Sequence, residues 1–217
     1  MENISISKFE EVVQEKSTDK KETKKLAIEL FEESGNVTSI IRRSIKGNFH
    51  EKSVDLEQLK KEIGDVLVCM VQLISQLPGA SLEKIARRNL EKTHTNYSIG
   101  DFKQENTLLD FGEYQKNVTQ TYREDLPQTQ EEQARFFAMG LMKEIGKISE
   151  LFGEYIIDGV MLNRYRIEEK LGDTLWYLVA ICQTYGVSLQ EIIQSGLEKM
   201  RAKKQADDEV KIAPENE

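Results

Sequence analysis

The sequence has few of the residues that interrupt helices or cross-link chains. Only three prolines occur among 217 residues, so long helices can run without interruption. The two cysteines, Cys69 and Cys182, lie inside apolar runs and are expected to be small core residues, because a disulfide framework needs more cysteines. No apolar run approaches the ~20 residues that a membrane span requires. The broad class that remains is a helical globular protein.

Basic charge is also in short supply. The net charge of −8 argues against electrostatic binding of nucleic acid. An acidic chain can still bind an anionic ligand when cations lie between the two. The first residues, MENISISKFEE, lack the basic and then apolar order of a signal peptide. We therefore expect a cytoplasmic protein whose partners include neither nucleic acid nor a membrane.

Apolar residues recur at steps of three and four residues along most of the chain, which predicts an all-α fold. No segment alternates with a period of two between turn signals, so no strand is expected. Breaks near residues 17–21, 47–55 and 78–80 divide the first part into four helices. After a linker, four further helices are predicted at 111–122, 129–155, 164–185 and 188–203.

The second group of four helices repeats the plan of the first. IGDVLVCMVQL at 63–73 corresponds to LGDTLWYLVAI at 171–181, and segments 81–92 and 188–199 share six of twelve residues. This near-constant spacing indicates duplication of a four-helix unit, packed as an intrachain pseudo-dimer. The alternative is the general likeness of amphipathic helices. The predicted boundaries are a first repeat at 1–97, a linker at 98–110, a second repeat at 111–204 and a flexible tail at 205–217.

Carboxylates cluster at the edge of two predicted helices in the first repeat. Glu62 and Asp65 lie three residues apart and so share one helix face, and Glu33 shares a face with position 36 on the preceding helix. If the two helices pack side by side, the carboxylates face each other and need a cation to offset their repulsion. Oxygen ligands suit Mg²⁺, which also takes substrate phosphates as ligands. The alternative is a solvated boundary shared with Lys60 and Lys61.

The order of these residues resembles the MazG-like, all-α nucleoside triphosphate pyrophosphohydrolases. The pattern is E-E-x-G-x, then E-x-G-D-x-L, then N-L-x-K one helix later. The residues that carry it in the first repeat are Glu32, Glu33, Gly35, Glu62, Gly64, Asp65, Asn89 and Lys92. Those in the second repeat are Gly140, Leu141, Glu144, Gly146, Gly172, Asp173, Trp176, Tyr177 and Lys199.

The resemblance implies that water attacks a nucleoside triphosphate at the bond between its α and β phosphates, with Mg²⁺ or Mn²⁺ as cofactor. Glu33, Glu62 and Asp65 would be the catalytic carboxylates. The implied metal ligands are Glu33, Asn36, Glu62 and Asp65, with Glu32 as a further candidate. Asn89 and Lys92 would face the nucleotide.

Several positions depart from the family's pattern. Asn36 stands where the family has glutamate, which weakens the metal site by one charge. In the second repeat the corresponding set is Glu144, Lys147, Lys170 and Asp173. Its charges cancel, and a protonated lysine has no lone pair to give a metal. We therefore expect no Mg²⁺ there: the four side chains pair internally, or Lys147 and Lys170 bind a phosphate directly.

The remaining candidates are ligand-binding positions in the second repeat. Lys199 corresponds to Lys92, whereas Gly196 replaces Asn89. Trp176 could stack on a base, although an aromatic residue in a central helix is commonly a core residue. His50 and His94 stand alone and are not expected to bind metal.

Three functions remain open at this point. The leading prediction is a metal-dependent hydrolase with a nucleotide ligand and a possible homodimeric assembly. The first alternative is a catalytically inactive protein that binds or sequesters a nucleotide or a signalling nucleotide. The second is a scaffold that has kept the motif without its function. Intact Glu33, Glu62 and Asp65 favour the enzyme, and the changes at Asn36, Lys147 and Lys170 favour the alternatives.

Overall fold

Eight α-helices make up the part of the chain that can be described. The computed structural model describes residues 3–17, 22–46, 54–96, 108–122 and 125–212, with only the backbone described at 45–46 and 203–212. These ranges contain no β-strand, which confirms the predicted all-α class. The helices are α1 (Ile6–Lys16), α2 (Thr23–Lys46), α3 (Leu56–Ile74), α4 (Leu82–Asn96), α5 (Phe111–Gln120), α6 (Gln130–Ile157), α7 (Arg164–Thr184) and α8 (Leu189–Ile212).

Local sequence signals fix where these helices begin and end. The side chains of Ser5, Asp55 and Asp110 each accept a hydrogen bond from the backbone N–H three residues later, so they cap α1, α3 and α5. Gly79 and Gly186 adopt φ values of 74° and 65° in the turns after α3 and α7. Glycine adopts this left-handed conformation without a Cβ clash. The third helix of each group of four is therefore ended by the same device.

The two groups of helices share one hydrophobic core. Buried apolar side chains from all eight helices form a single cluster. Helix α2 packs on α3, α6 packs on α7, and α2 also packs against α6. The last helix of each group lies on the third helix of the other, because α4 packs extensively on α7 and α8 packs on α3.

Equivalent contacts recur in the two groups. The Glu10 carboxylate on α1 accepts the backbone N–H of Leu82 at 3.1 Å, at the start of α4. The Gln115 amide oxygen on α5 accepts the backbone N–H of Leu189 at 2.8 Å, at the start of α8. The caps of α1 and α5 meet in an isolated antiparallel bridge. This agreement supports the predicted pseudo-dimer, and duplication of a four-helix unit stays a prediction.

The boundaries differ from the predicted ones mainly at the C-terminus. Helix α8 continues to Ile212, so most of the segment assigned to a flexible tail is helical. Most of the predicted linker, and His50, lie outside the described residues. Among the described helices, none has both the length and the apolar composition needed to cross a bilayer.

Candidate functional site

Three carboxylates converge where α2 packs on α3. Glu33 comes from α2, whereas Glu62 and Asp65 come from α3. Each supplies one oxygen that lies within 4.8 Å of the oxygens of the other two. Glu62 is buried, and the other two are half-buried. The convergence predicted from the helical spacing is therefore present, and it joins side chains from two helices.

Two neighbouring side chains bind the carboxylates in the absence of metal. The Asn36 amide donates to Glu33 Oε2 and to Glu62 Oε2, at 3.2 Å in each case. The Lys61 ammonium lies 2.7 Å from Asp65 Oδ2 and 3.3 Å from Glu62 Oε1. One ammonium against three carboxylates leaves an excess of negative charge. Asn36 thus contacts the cluster, as expected, and Lys61 is a partner that the spacing analysis placed only in the solvated alternative.

This crowding perturbs the titration of the groups. Burial raises the pKa of Glu33; the hydrogen bond from Asn36 opposes the rise, and the carboxylates of Glu62 and Asp65 add to it. The hydrogen-bonded ion pair with Asp65 raises the pKa of Lys61 to about 12. The cluster therefore favours any added positive charge.

The donor set fits a divalent cation that prefers oxygen. Two ligands of one Mg²⁺ ion can be at most about 4.2 Å apart, because each Mg–O bond is about 2.1 Å long. The carboxylate oxygens lie within 4.8 Å of one another, so small side-chain movements are sufficient. Among the described residues, Glu33, Glu62 and Asp65 are the one group of three potential metal ligands that meets this distance, and His94 is not part of it.

Glu32 does not join this group. Its side chain is exposed, and its oxygens are not among those that converge. Neighbouring residues on a helix point in directions about 100° apart, so Glu32 leaves the face that Glu33 occupies. The structure therefore does not support Glu32 as a metal ligand.

A cavity of about 320 Å³ adjoins the carboxylates between α3 and α8. We call it the α3–α8 cavity. Asp65 lines it from the first group of helices, and Gly196 and Lys199 line it from the second. Its walls also include Phe9 and Val68. An apolar space with cationic and anionic groups at its edge is suited to a nucleotide-sized ligand.

Asn89 and Lys92 lie elsewhere, on the other group of helices. The Lys92 ammonium is 2.8 Å from Asp173 and 2.9 Å from Glu169. The Asn89 amide donates to Asp173 Oδ1 at 3.2 Å. The structure thus does not bring Asn89 and Lys92 beside Glu33, because α4 packs on α7. Lys199, on α8, occupies the corresponding place near Asp65.

The second set of four side chains is paired internally. Lys147 binds Glu144 at 3.0 Å, and Lys170 lies 3.6 Å from Asp173 and 4.0 Å from Glu144. These pairs match one of the two arrangements expected from the charges. Binding of phosphate by Lys147 and Lys170 stays a prediction.

Trp176 lies in an aromatic cluster. Its indole N–H donates to Thr121 Oγ1 at 2.8 Å, and its ring contacts the rings of Tyr122, Phe137 and Tyr177 edge to face. These contacts correspond to the core role weighed for this residue. They leave no described contact between Trp176 and the three carboxylates.

Comparison with known proteins yields one match. Residues 21–97 match the family model of the MazG nucleotide pyrophosphohydrolase domain. This range contains all three converging carboxylates and ends before the second group of helices. No curated protein and no solved structure matches the chain.

Proposed function

We propose, from the premise that residues 21–97 form a MazG nucleotide pyrophosphohydrolase domain, that the protein hydrolyses a nucleoside triphosphate or a related nucleotide. The bond broken is the phosphoanhydride between the α and β phosphates. Water adds across this bond, and the products are a nucleoside monophosphate and pyrophosphate. Glu33, Glu62 and Asp65 hold the divalent cation, either Mg²⁺ or Mn²⁺.

The observation that carries this proposal is the convergence of three carboxylates beside a cavity. Their repulsion is only partly offset by Lys61, so a divalent cation gains more electrostatic energy here than at a neutral site. When bound, such a cation draws phosphate oxygens toward it and stabilises the charge that develops on them. Asn36 orients Glu33 and Glu62 through its two hydrogen bonds.

The α3–α8 cavity provides space for the rest of the nucleotide. Asp65 belongs to both the carboxylate cluster and the cavity wall, so phosphates near the cluster lead directly into the cavity. The Lys199 ammonium at this wall supplies a positive charge for a phosphate oxygen. Phe9 and Val68 supply apolar surface for the nucleoside.

The hydrolysis is tested by following pyrophosphate release from a panel of nucleoside triphosphates with Mg²⁺ or Mn²⁺. We expect Glu62→Gln and Asp65→Asn each to lower turnover at least about a hundredfold, because each removes a charge from the cation site. Glu150→Gln is the matched control, since Glu150 is exposed on α6 and far from the cluster in the fold. Equal silence of the wild type and both variants would refute hydrolysis.

A second candidate function is a nucleotide-binding protein without catalysis. It is favoured by Asn36, which places an amide where the family has a carboxylate, and by Lys61, which already pairs with Asp65. Calorimetry separates the two candidates: binding without pyrophosphate release supports this one. If no nucleotide binds at all, both fail and the scaffold alternative remains.

We also propose that the chain arose by duplication of a four-helix unit. The paired caps of α1 and α5, and the reciprocal packing of α4 and α8, support this origin. In this view the second group of helices supplies the partner surface that another subunit would otherwise provide. A further homodimer of the whole chain stays a prediction, which sedimentation of the purified protein tests.

A further inference from the structure

The fold contains two equivalent seams, one on each third helix. We call them the α3–α8 seam and the α4–α7 seam. A Cβ atom added to Gly64 on α3 would lie 3.5 Å from Ile192 on α8. A Cβ atom added to Gly172 on α7 would lie 3.4 Å from Ile85 on α4. The same glycine-to-isoleucine contact therefore builds both seams.

The two seams differ at three corresponding positions. Phe9 and Tyr114 each follow by four residues a helix cap of the Ser5–Asp110 bridge, and Val68 and Trp176 each follow by three residues the aspartate of the Gly-Asp pair. Gly196 and Asn89 correspond in the matching segments of α8 and α4. The smaller or less polar residue of every pair lines the α3–α8 cavity: Gly196, Phe9 and Val68.

The larger residues fill the α4–α7 seam. Asn89 packs so closely on Gly172 that an added Cβ atom would lie 3.1 Å from its own Cβ. The Tyr114 hydroxyl donates to Asn89 Oδ1 at 3.1 Å, and the Asn89 amide donates to Asp173. Tyr114 is fully buried. The ring of Trp176 is held by its hydrogen bond to Thr121. The polar groups of these side chains are thus satisfied by one another.

Ammonium groups take the place of a cation in the same seam. Lys170 and Lys147 occupy the positions that correspond to Glu62 and Asn36, and both lie within 4.0 Å of the buried Glu144 carboxylate. Lys92 binds Asp173, which corresponds to Asp65. A divalent cation would have to displace these groups and would meet their positive charge.

We propose that the chain binds one nucleotide only, in the α3–α8 seam, and that the α4–α7 seam is the same site permanently occupied by the protein's own side chains. Asn89, Tyr114 and Trp176 fill the ligand's space there, and lysine ammonium groups replace the cation. This inference rests on the proposed nucleotide site and adds its number and its boundaries. Gly196 and Val68 become the residues that keep the first seam open.

The test is a titration of the full chain with an α,β-methylene nucleoside triphosphate in the presence of Mn²⁺, followed by calorimetry. We expect a stoichiometry of one nucleotide per chain. Gly196→Asn and Val68→Trp each transplant a residue of the filled seam into the open one, and each should weaken nucleotide binding at least about tenfold. Binding of Mn²⁺ alone, followed by electron paramagnetic resonance, should persist in both variants.

Gly153→Asn is the matched control for the glycine substitution. Gly153 is helical and has no atom within 4 Å of a built Cβ, as Gly196 has none. The control should bind the nucleotide as the wild type does, and circular dichroism with thermal melting confirms that each variant folds. Val68→Trp provides an independent variant if Gly196→Asn does not fold.

The outcomes separate this inference from the proposed activity. One bound nucleotide, lost in both transplant variants, supports the inference whether or not pyrophosphate is released. Two bound nucleotides would overturn it while leaving hydrolysis intact. Undiminished binding in a folded transplant variant would also overturn it, and so would absence of binding in the wild type.

Discussion

Replacement of Glu33 by glutamine should stabilise the metal-free protein and remove its response to metal. Glu33 lies within 4.8 Å of two other carboxylates. At that distance, two unit charges repel by about 0.9 kcal/mol in water. Ionic strength near 0.15 M reduces each repulsion to about half, because the Debye length is then about 8 Å. Two such pairs make a gain of about 1 kcal/mol in the free energy of unfolding.

Other effects of this substitution nearly cancel. Glutamine and glutamate have similar helix propensities. The amide oxygen of glutamine can still accept the hydrogen bond that Asn36 now donates to Glu33. The loss of one carboxylate, however, weakens the cation site.

The assay is thermal unfolding with EDTA and with Mn²⁺. For a chain of this length, 1 kcal/mol corresponds to a Tm shift of about 2–4 °C. The variant should melt higher than the wild type in EDTA, and excess Mn²⁺ should raise the Tm of the wild type alone. Glu150→Gln should change neither value, since Glu150 is exposed on α6. A lower Tm of the Glu33→Gln variant in EDTA, or an equal response to Mn²⁺, would refute the reasoning.

The same comparison has a defined pH dependence. The pKa of Glu33 is raised in the folded protein, first by burial and then by its carboxylate neighbours. Below about pH 4 the side chain is protonated in both the folded and the unfolded state, so wild type and variant should be equally stable. As the pH rises through the raised pKa, the wild type gains the charge and loses stability relative to the variant. An advantage that is largest at low pH would contradict this assignment.

Three further substitutions test separate parts of the structure. Asn36→Glu should raise Mn²⁺ affinity about tenfold, measured by electron paramagnetic resonance, because it adds a fourth carboxylate; no change would place this side chain outside the cation's ligands. Glu144→Gln should leave turnover within about twofold and lower the free energy of unfolding by about 1 kcal/mol in urea titration, since it weakens buried ion pairs; a large loss of turnover would contradict a metal-free second set. Gly140→Ala should lower that free energy by about 1–3 kcal/mol, because its Cβ would lie 2.1 Å from the Tyr177 ring. Gly153→Ala, which meets no atom within 4 Å, should instead stabilise by up to about 1 kcal/mol.

Local periodicity was sufficient to predict the helices and the carboxylate cluster. The spacing of Glu62 and Asp65 determines that they share a face of α3, whatever else the chain does. Glu33 meets them because α2 and α3 are consecutive helices and pack on each other. The bounds of α5, α6 and α7 lie within two residues of the predicted ones, since capping residues and turn glycines are local signals.

The partners of α4 and α8 could not be predicted in the same way. Asn89 and Lys92 were assigned to the first cluster because they follow it in the sequence. Contacts between distant helices depend on the packing of the whole core, and there α4 packs on α7. A signal was nevertheless present: Gly196 stands where the other segment has Asn89, and that difference marks the open seam.

The exchange of last helices between the two groups affects how the protein can change by mutation. Each seam combines an early and a late stretch of one chain, so a given residue belongs to one seam alone. In a pair of identical subunits every substitution is made twice, and one site cannot be altered without its twin. Here a substitution at Asn89 or Trp176 reshapes only the α4–α7 seam. Covalent continuity has thus given the two seams independent mutational fates, and one of them can specialise in holding the molecule together.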